Sequence, residues 1–378
     1  MSESVPESVP TRPGKAAPAT DREQRVLQII ETARAKRARF RDERITLAHG
    51  AGGKATQTLI EGLLVPAFGA TGDTLGALAD AGTIAAGDTR LAMTSDSFVV
   101  KPLRFPGGSI GELAVNGTVN DLAMAGAHAR ALTVSLILEE GLAAETLRAE
   151  VEAIASAATA AEVEIVGGDT KVVERGAADQ MYVCTTGVGL VDPRAALATD
   201  GIRPGDRILV SGPVGEHGTA IMLARNEFEL DAELESDTCS LWPAVDALLD
   251  AAEDDLHCLR DATRGGVASV LNELARASGV SIVVREAQVP VSPVVAAAAE
   301  LLGIDPMYVA NEGRLVAFVA PEQCERALQA LAAVPGCEQA AEIGEVGAEP
   351  PGMVTVATAF GGRRVMDQLV GDPLPRIC

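Results

Sequence analysis

The sequence predicts two domains of mixed helix and sheet followed by a flexible tail, and three observations carry that prediction. The chain has 378 residues, more than one hydrophobic core ordinarily serves. Strand-like and helix-like patterns alternate along it in two series, separated by the charged turn Gly201-Ile202-Arg203-Pro204-Gly205-Asp206. The last eight positions, Gly371-Asp372-Pro373-Leu374-Pro375-Arg376-Ile377-Cys378, contain two prolines that forbid a regular helix and finish on a thiol. The expected organisation is an N-terminal extension over 1–44, a first domain over 45–195, a second over 196–358 and a tail over 359–378.

Composition narrows the class. Hydrophobic residues make up 47% but aromatics only 3%, which favours layers of sheet and helix built from small side chains over an aromatic-rich sandwich. A formal charge of −22 argues against a general nucleic-acid binder or a ligand of anionic membranes. It does not exclude nucleotides, which are held through metal ions and backbone amides. There is no apolar run of membrane-spanning length and no signal-peptide pattern in 1–20, so the cytoplasm is the expected location. The six cysteines show no CxxC spacing, so the five internal ones are expected to be small buried hydrophobes. A prenylation signal would place the cysteine four residues from the end, so Cys378 does not fit one.

The elements follow in order. Residues 1–20 read as disordered, and 21–44 as a basic amphipathic helix. In the first series, Thr89–Val100 reads as a strand, Ile110–Met124 as a helix and Leu132–Glu139 as a buried strand. Glu145–Ala161 reads as a helix, and Val163–Val166 and Tyr182–Val191 as strands. In the second, strands are expected at Arg207–Ser211, Val280–Val284, Arg314–Ala320 and near Val354–Thr358. Helices are expected at Gly218–Arg225, Trp242–Ala252, Val267–Ser278, Val294–Leu302 and Pro321–Ala333.

Several motifs carry chemistry. In His49-Gly50-Ala51-Gly52-Gly53-Lys54 the glycines let backbone amides approach phosphates and Lys54 adds a charge. It is not a Walker A loop, and a glycine turn without function explains it equally well. A loose dinucleotide pattern with Asp73 further on is a weaker match. Acidic residues end apolar stretches at Asp80, Asp96, Asp121, Asp169 and Asp261. Singly, each reads as a cap or turn residue; together they suit Mg²⁺ bound to a triphosphate. Gly167-Gly168-Asp169-Thr170-Lys171 reads as a flexible turn with a carboxylate, a hydroxyl and a cation. Glu312 is a candidate general base or a hairpin-turn residue. Glu216-His217-Gly218 reads as helix capping. Gly107–Gly111 fits a nucleophile elbow by spelling alone, because Pro102 and Pro106 break the strand that an elbow needs.

Together the segments HGAGGK (49–54), TSDSFVVKPLRFPGGSIGELAVNGTVNDLAM (94–124), ILEEGL (137–142), IVGGDTKVVERG (165–176), TTGVG (185–189), RPGD (203–206), RDATRGGVASVLNELA (260–275), ANEGRLV (310–316) and the terminal PRIC closely resemble one family. It is that of the hydrogenase maturation factor HypE, in the superfamily of aminoimidazole ribonucleotide synthetase and selenophosphate synthetase. The extension over 1–44 lies outside the resemblance. The resemblance implies the two-domain aminoimidazole ribonucleotide synthetase-like fold. It also implies a homodimer joined through the first domain's sheet, with ATP and Mg²⁺ near that interface. Cys378 would receive a carbamoyl group from HypF, and ATP would drive dehydration of the S-carboxamide to a thiocyanate. The cyano group would then pass to iron on a HypC–HypD complex. In this reading Lys171 and Glu312 join Cys378 in catalysis. Gly52, Gly53, Lys54, Asn120, Gly168, Asp169 and Thr170 would contact the nucleotide, and Asp80, Asp96, Asp121 and Asp261 would hold the metal. A sister enzyme that phosphorylates a small molecule leaves the cysteine-ended tail unexplained. A non-catalytic thiol carrier is the rival from another class.

Overall fold

The computed structural model describes residues 39–69, 79–225 and 233–371. The expectations for 1–20, most of the basic helix, Asp73 and Cys378 lie outside these residues. The part of the basic helix that is described, 39–44, is not helical.

A 3₁₀ turn at Leu47–Gly50 leads into helix α1 (Lys54–Leu59), a wider turn at Ile60–Leu64 and a short helix α2 (Val65–Phe68). Strands β1 (Gly82–Ala86) and β2 (Thr89–Phe98) form a hairpin, in which Gly87 takes the left-handed conformation. A two-residue pair, β3 (Arg104–Phe105) and β4 (Gly108–Ser109), precedes helix α3 (Ile110–Met124). Ser109 caps that helix, its hydroxyl accepting from the Glu112 N–H. After β5 (Ala127–Glu139) come helix α4 (Ala144–Ala160), β6 (Glu164–Val173) and β7 (Met181–Val191). Among the described residues the first sheet has the order β1-β2-β7-β5-β6, antiparallel except for the β5–β6 pair.

Helix α3 is wrapped on almost every side: Leu113, Ala114, Val115 and Leu122 have no exposed surface. Glycines make the approach possible. A Cβ on Gly111 would lie 2.6 Å from the Glu150 carbonyl on α4, and one on Gly117 would lie 2.7 Å from the Phe98 ring on β2. Burial of each large aliphatic side chain here contributes about 2 kcal/mol, which stabilises a helix that keeps little of its surface in water.

The second series builds β8 (Arg207–Val210), α5 (Glu216–Ala224), α6 (Trp242–Ala252), β9 (Leu256–Asp261), α7 (Gly266–Ala277) and β10 (Ser281–Arg285). It continues with α8 (Pro293–Leu302), β11 (Leu315–Val319), α9 (Cys324–Ala332), β12 (Ala341–Gly347), β13 (Val354–Ala357) and β14 (Arg363–Val365). Its sheet runs β14-β13-β10-β12-β8-β11-β9. Helices α3 and α6 share a core with β9 and β11, where Val119, Leu248, Leu256 and Leu315 meet. The two sheets are therefore tied through α3.

Three expectations change. Gly167–Lys171 is no turn: it lies inside β6, paired with β5 and exposed along its length. The tail does not begin at 359, because β14 joins the second sheet and Met366 is fully buried. Of the internal cysteines, Cys258, Cys324 and Cys337 are buried, but Cys184 is half-buried and Cys239 is exposed. Strands β1, β9, β12 and β14 were without a clear sequence signal, being short or lacking an alternating pattern.

Candidate active site

Strand β2 carries Thr94 and Asp96 toward α3, as the hydrogen bond from Thr94 Oγ1 to Asp121 Oδ2 at 2.7 Å requires. Asp121 is on α3, Asp80 is in the segment before β1, and Asp261 is the last residue of β9. These three aspartates come from distant parts of the chain, yet each offers an oxygen within 4.8 Å of the others. Asp96 is outside that trio, although its charge acts on all three.

The electrostatics are those of an acidic cluster that Arg260 compensates only in part. Burial, opposed by Arg260, pushes the Asp80 carboxyl up to about 6, and neighbouring carboxylates add to the rise. Burial and the surrounding aspartates hold Asp121 and Asp261 well above the usual range. Arg260 Nε meets Asp80 Oδ1 at 2.7 Å, and its other arm reaches Glu273. Hard oxygen ligands, convergent and short of positive charge, fit a divalent cation such as Mg²⁺.

Glu312 stands beside them. It is buried, and desolvation, with Asp261 and Asp237 next, drives its carboxyl well above the glutamate range. A carboxyl raised by burial and neighbouring carboxylates becomes available as a base when a nearby cation offsets that negative charge.

The glycine-rich segment packs on the loop that follows β9. A Cβ on Gly52, which has φ +75°, would lie 2.8 Å from the Arg264 carbonyl, and Arg264 Nη1 donates to the Gly50 carbonyl at 3.1 Å. The amides that begin α1 are engaged: Lys54 N–H donates to Leu369 O at 2.8 Å and Ala55 N–H to Val370 O at 3.2 Å. Lys54 Nζ pairs with Asp367 Oδ2 at 2.6 Å. So the segment expected to receive phosphates holds the root of the C-terminal tail here.

Two other expectations are redistributed. Asn120 is buried, and its amide donates to the carbonyls of Cys239 (2.9 Å) and Glu312 (3.2 Å) while accepting from Leu241 N–H (2.7 Å). With both donors engaged it ties Glu312 to α3. The segment Gly168–Lys171 is three strands from Asp96, about 14 Å at ordinary strand spacing. The register row is Asp96, Thr185, Val134, Gly168. Gly168 thus lies on the aspartate side of the sheet, whereas Asp169 and Lys171 alternate to the opposite face. There Lys171 Nζ pairs with Asp169 Oδ2 at 2.6 Å. One chain does not bring Lys171 to Glu312. Residues without a sequence signal also belong to the site: Thr94 on Asp121, Arg260 on Asp80, and Asp237 on the Glu312 backbone.

Residues 78–191 match the AIR synthase related protein family, N-terminal domain, and residues 203–357 match its C-terminal domain. The carbamoyl dehydratase HypE of Rhodobacter capsulatus is 46% identical over 339 residues, covering 90% of this chain and 99% of the relative. The chain belongs to the HypE family of carbamoyl dehydratases. Solved structures agree. A HypE in complex with ATP superposes with a TM-score of 0.74 at 43% identity, over 89% of this chain and 100% of the other. HypE from a HypE–HypF complex gives 0.78 at 40% identity, over 82% and 99%. Among the described residues no helix is long and apolar enough to cross a membrane.

Proposed function

We propose that the chain dehydrates an S-carboxamide carried on its own Cys378 to a thiocyanate, at the expense of ATP, to supply the cyanide ligand of [NiFe] hydrogenase iron. The observation that carries this reading is the path of the tail. Its root at Leu369 and Val370 caps α1, and Gly371 lies against Ala48. Seven further residues (372–378) precede the end, a reach of at most about 25 Å. The acidic trio and Glu312 belong to the same fold as that anchor.

The chemistry balances. The carboxamide oxygen attacks the γ-phosphorus of ATP, ADP leaves, and one nitrogen-bound proton is lost, giving an imidate phosphate. Loss of the second N–H proton closes the C≡N bond and expels phosphate, which keeps the carboxamide oxygen. Asp80, Asp121 and Asp261, with Asp96 beside them, would hold Mg²⁺, which neutralises triphosphate charge when bound. Glu312 accepts a nitrogen-bound proton. Lys171 faces the phosphoryl or carbamoyl oxygen, and Gly168, Asp169 and Thr170 approach the nucleotide.

Because Lys171 is on the far face of the sheet, we propose that a second copy supplies it. That face, which no helix covers among the described residues, carries Ser95, Ser97, Cys184 and Thr186, with Met93 and Ile84 exposed beside them. A homodimer that joins two such sheets would cover it and set the β6 edge of one copy against the acidic trio of the other. HypF as donor of the carbamoyl group and a HypC–HypD complex as acceptor of the cyano group complete the reading, in the cytoplasm.

Intact-mass measurement tests it. The carbamoylated protein with ATP and Mg²⁺ loses the mass of one water, and Cys378→Ser accepts no carbamoyl group while keeping its melting temperature. ATP turnover that persists in Cys378→Ser without any mass change would point instead to a small-molecule kinase.

A further inference from the structure

The peptide of Glu312 is gripped from both sides. Its N–H donates to Asp237 Oδ1 at 2.9 Å, and its carbonyl accepts from Asn120 Nδ2 at 3.2 Å. Asp237 belongs to the strap 233–241, which is itself pinned to the body of the protein. Ser236 N–H donates to Pro106 O at 2.8 Å, Ser236 Oγ bonds His217 Nδ1 at 2.8 Å, and Leu241 N–H donates to Asn120 Oδ1. Strap and turn are pressed together at the next residue: a Cβ on Gly313 would sit 1.8 Å from the Asp237 carbonyl oxygen. On its other flank the turn is fixed by Asn311, whose side chain donates to Ala262 O at 2.7 Å and accepts from Gly215 N–H at 2.7 Å.

The Asp237 side chain is fully buried, and burial pushes its carboxyl up to about 6 despite Arg314 nearby. Pairing with that arginine does not account for so costly a group. Arg314 Nε is 3.8 Å from Asp237 Oδ2, and that oxygen has no hydrogen-bond partner among the described residues. The guanidinium is satisfied elsewhere, by Glu216 Oε2 at 2.8 Å and by the carbonyls of Pro213, Gly313 and Gly336. The well-formed contact of Asp237 is the one to the Glu312 amide.

We infer that Asp237 is a positioning residue for the dehydration: by holding the Glu312 peptide it fixes the direction in which that side chain leaves the backbone, and so its approach to the reacting nitrogen. The inference rests on Glu312 being the base. Asn120 is the second grip, but it adjoins Asp121, so Asp237 offers the cleaner test.

The experiment follows single-turnover loss of water from the carbamoylated full-length chain by intact mass, across ATP concentrations, with melting temperature as a check on folding. Asp237→Ala should lower the maximal rate constant about 10- to 100-fold, as a misplaced catalytic group does, and leave half-saturating ATP unchanged. Asp237→Asn keeps an oxygen acceptor for the amide and should return the rate to within about threefold of the parent. In a Glu312→Gln background, Asp237→Ala should add no further loss. An unchanged rate in Asp237→Ala alongside a strongly slowed Glu312→Gln overturns the positioning role and leaves the base in place. A full multiplicative loss in the double variant also overturns it, as does a folded Asp237→Asn as slow as Glu312→Gln. A fully active Glu312→Gln removes the base assignment instead, whatever Asp237 does.

Discussion

The amide of Lys54 donates to the carbonyl of Leu369 at 2.8 Å, joining the glycine-rich segment to the root of the tail that ends in Cys378. The contact depends on Gly53, where a Cβ would meet that carbonyl oxygen at 2.5 Å. Gly53→Ala should push the tail root away at a cost of about 1–3 kcal/mol. The expected readouts are a lower melting temperature, faster proteolysis near 369–371 and slower dehydration. Gly50→Ala, with nothing within 4 Å of its added carbon, is the control and should match the parent.

Mg²⁺ should stabilise the fold through the acidic trio. Asp80 has a folded pKa of about 6 against 3.8 for the free group, and Asp121 and Asp261 are also raised. A raised carboxyl favours the folded state below its unfolded pKa, and that contribution is lost as pH rises through the folded one. Without metal, the melting temperature should therefore fall between about pH 4 and 6 from this source. At pH 7.5, Mg²⁺ at 100 times its dissociation constant should restore about 2.7 kcal/mol. Asp121→Asn should weaken the Mg²⁺ response and flatten the pH dependence; an undiminished response would place the metal elsewhere.

Lys171 and Glu312 should complement one another between chains. Each of Lys171→Ala and Glu312→Gln should be strongly slowed alone, with only a small residual rate. After mixing and subunit exchange, half the dimers are mixed and each restores one of its two sites, so roughly a quarter of the parental activity should return. No recovery after demonstrated exchange would mean that both residues act within one chain.

Asp237→Asn should also shift stability with pH. The parent carboxyl is raised from 3.8 to about 6, so its ionisation disfavours folding as pH climbs through that window. At pH 7 the Asn variant should be more stable by on the order of 1–3 kcal/mol, with the difference vanishing below about pH 4. Chemical denaturation at both pH values measures this.

Elements with an unbroken pattern could be read directly. Ile110–Met124 is a helix over the residues expected, because its apolar positions need only a place to bury and Ser109 marks its start. Trp242–Ala252 likewise matches. Gly167–Lys171 could not be read: adjacent glycines signal a turn locally, and only pairing with β5 overrides that preference. Strand β14 has no sequence signal because three residues carry no period, and the sheet edge alone recruits them.

The chain of residues by itself determined the fold class, the family and the types of group available: carboxylates, glycines, a lysine and a final thiol. These depend on local pattern and on motif spelling, which survive without coordinates. Tertiary structure alone decided which of them meet. Asp80, Asp121 and Asp261 converge, Asn120 turns to the Glu312 backbone, and Lys171 faces away from both. The physical reason is that strand alternation and inter-strand register set side-chain direction, and the pairing that fixes register joins residues far apart along the chain.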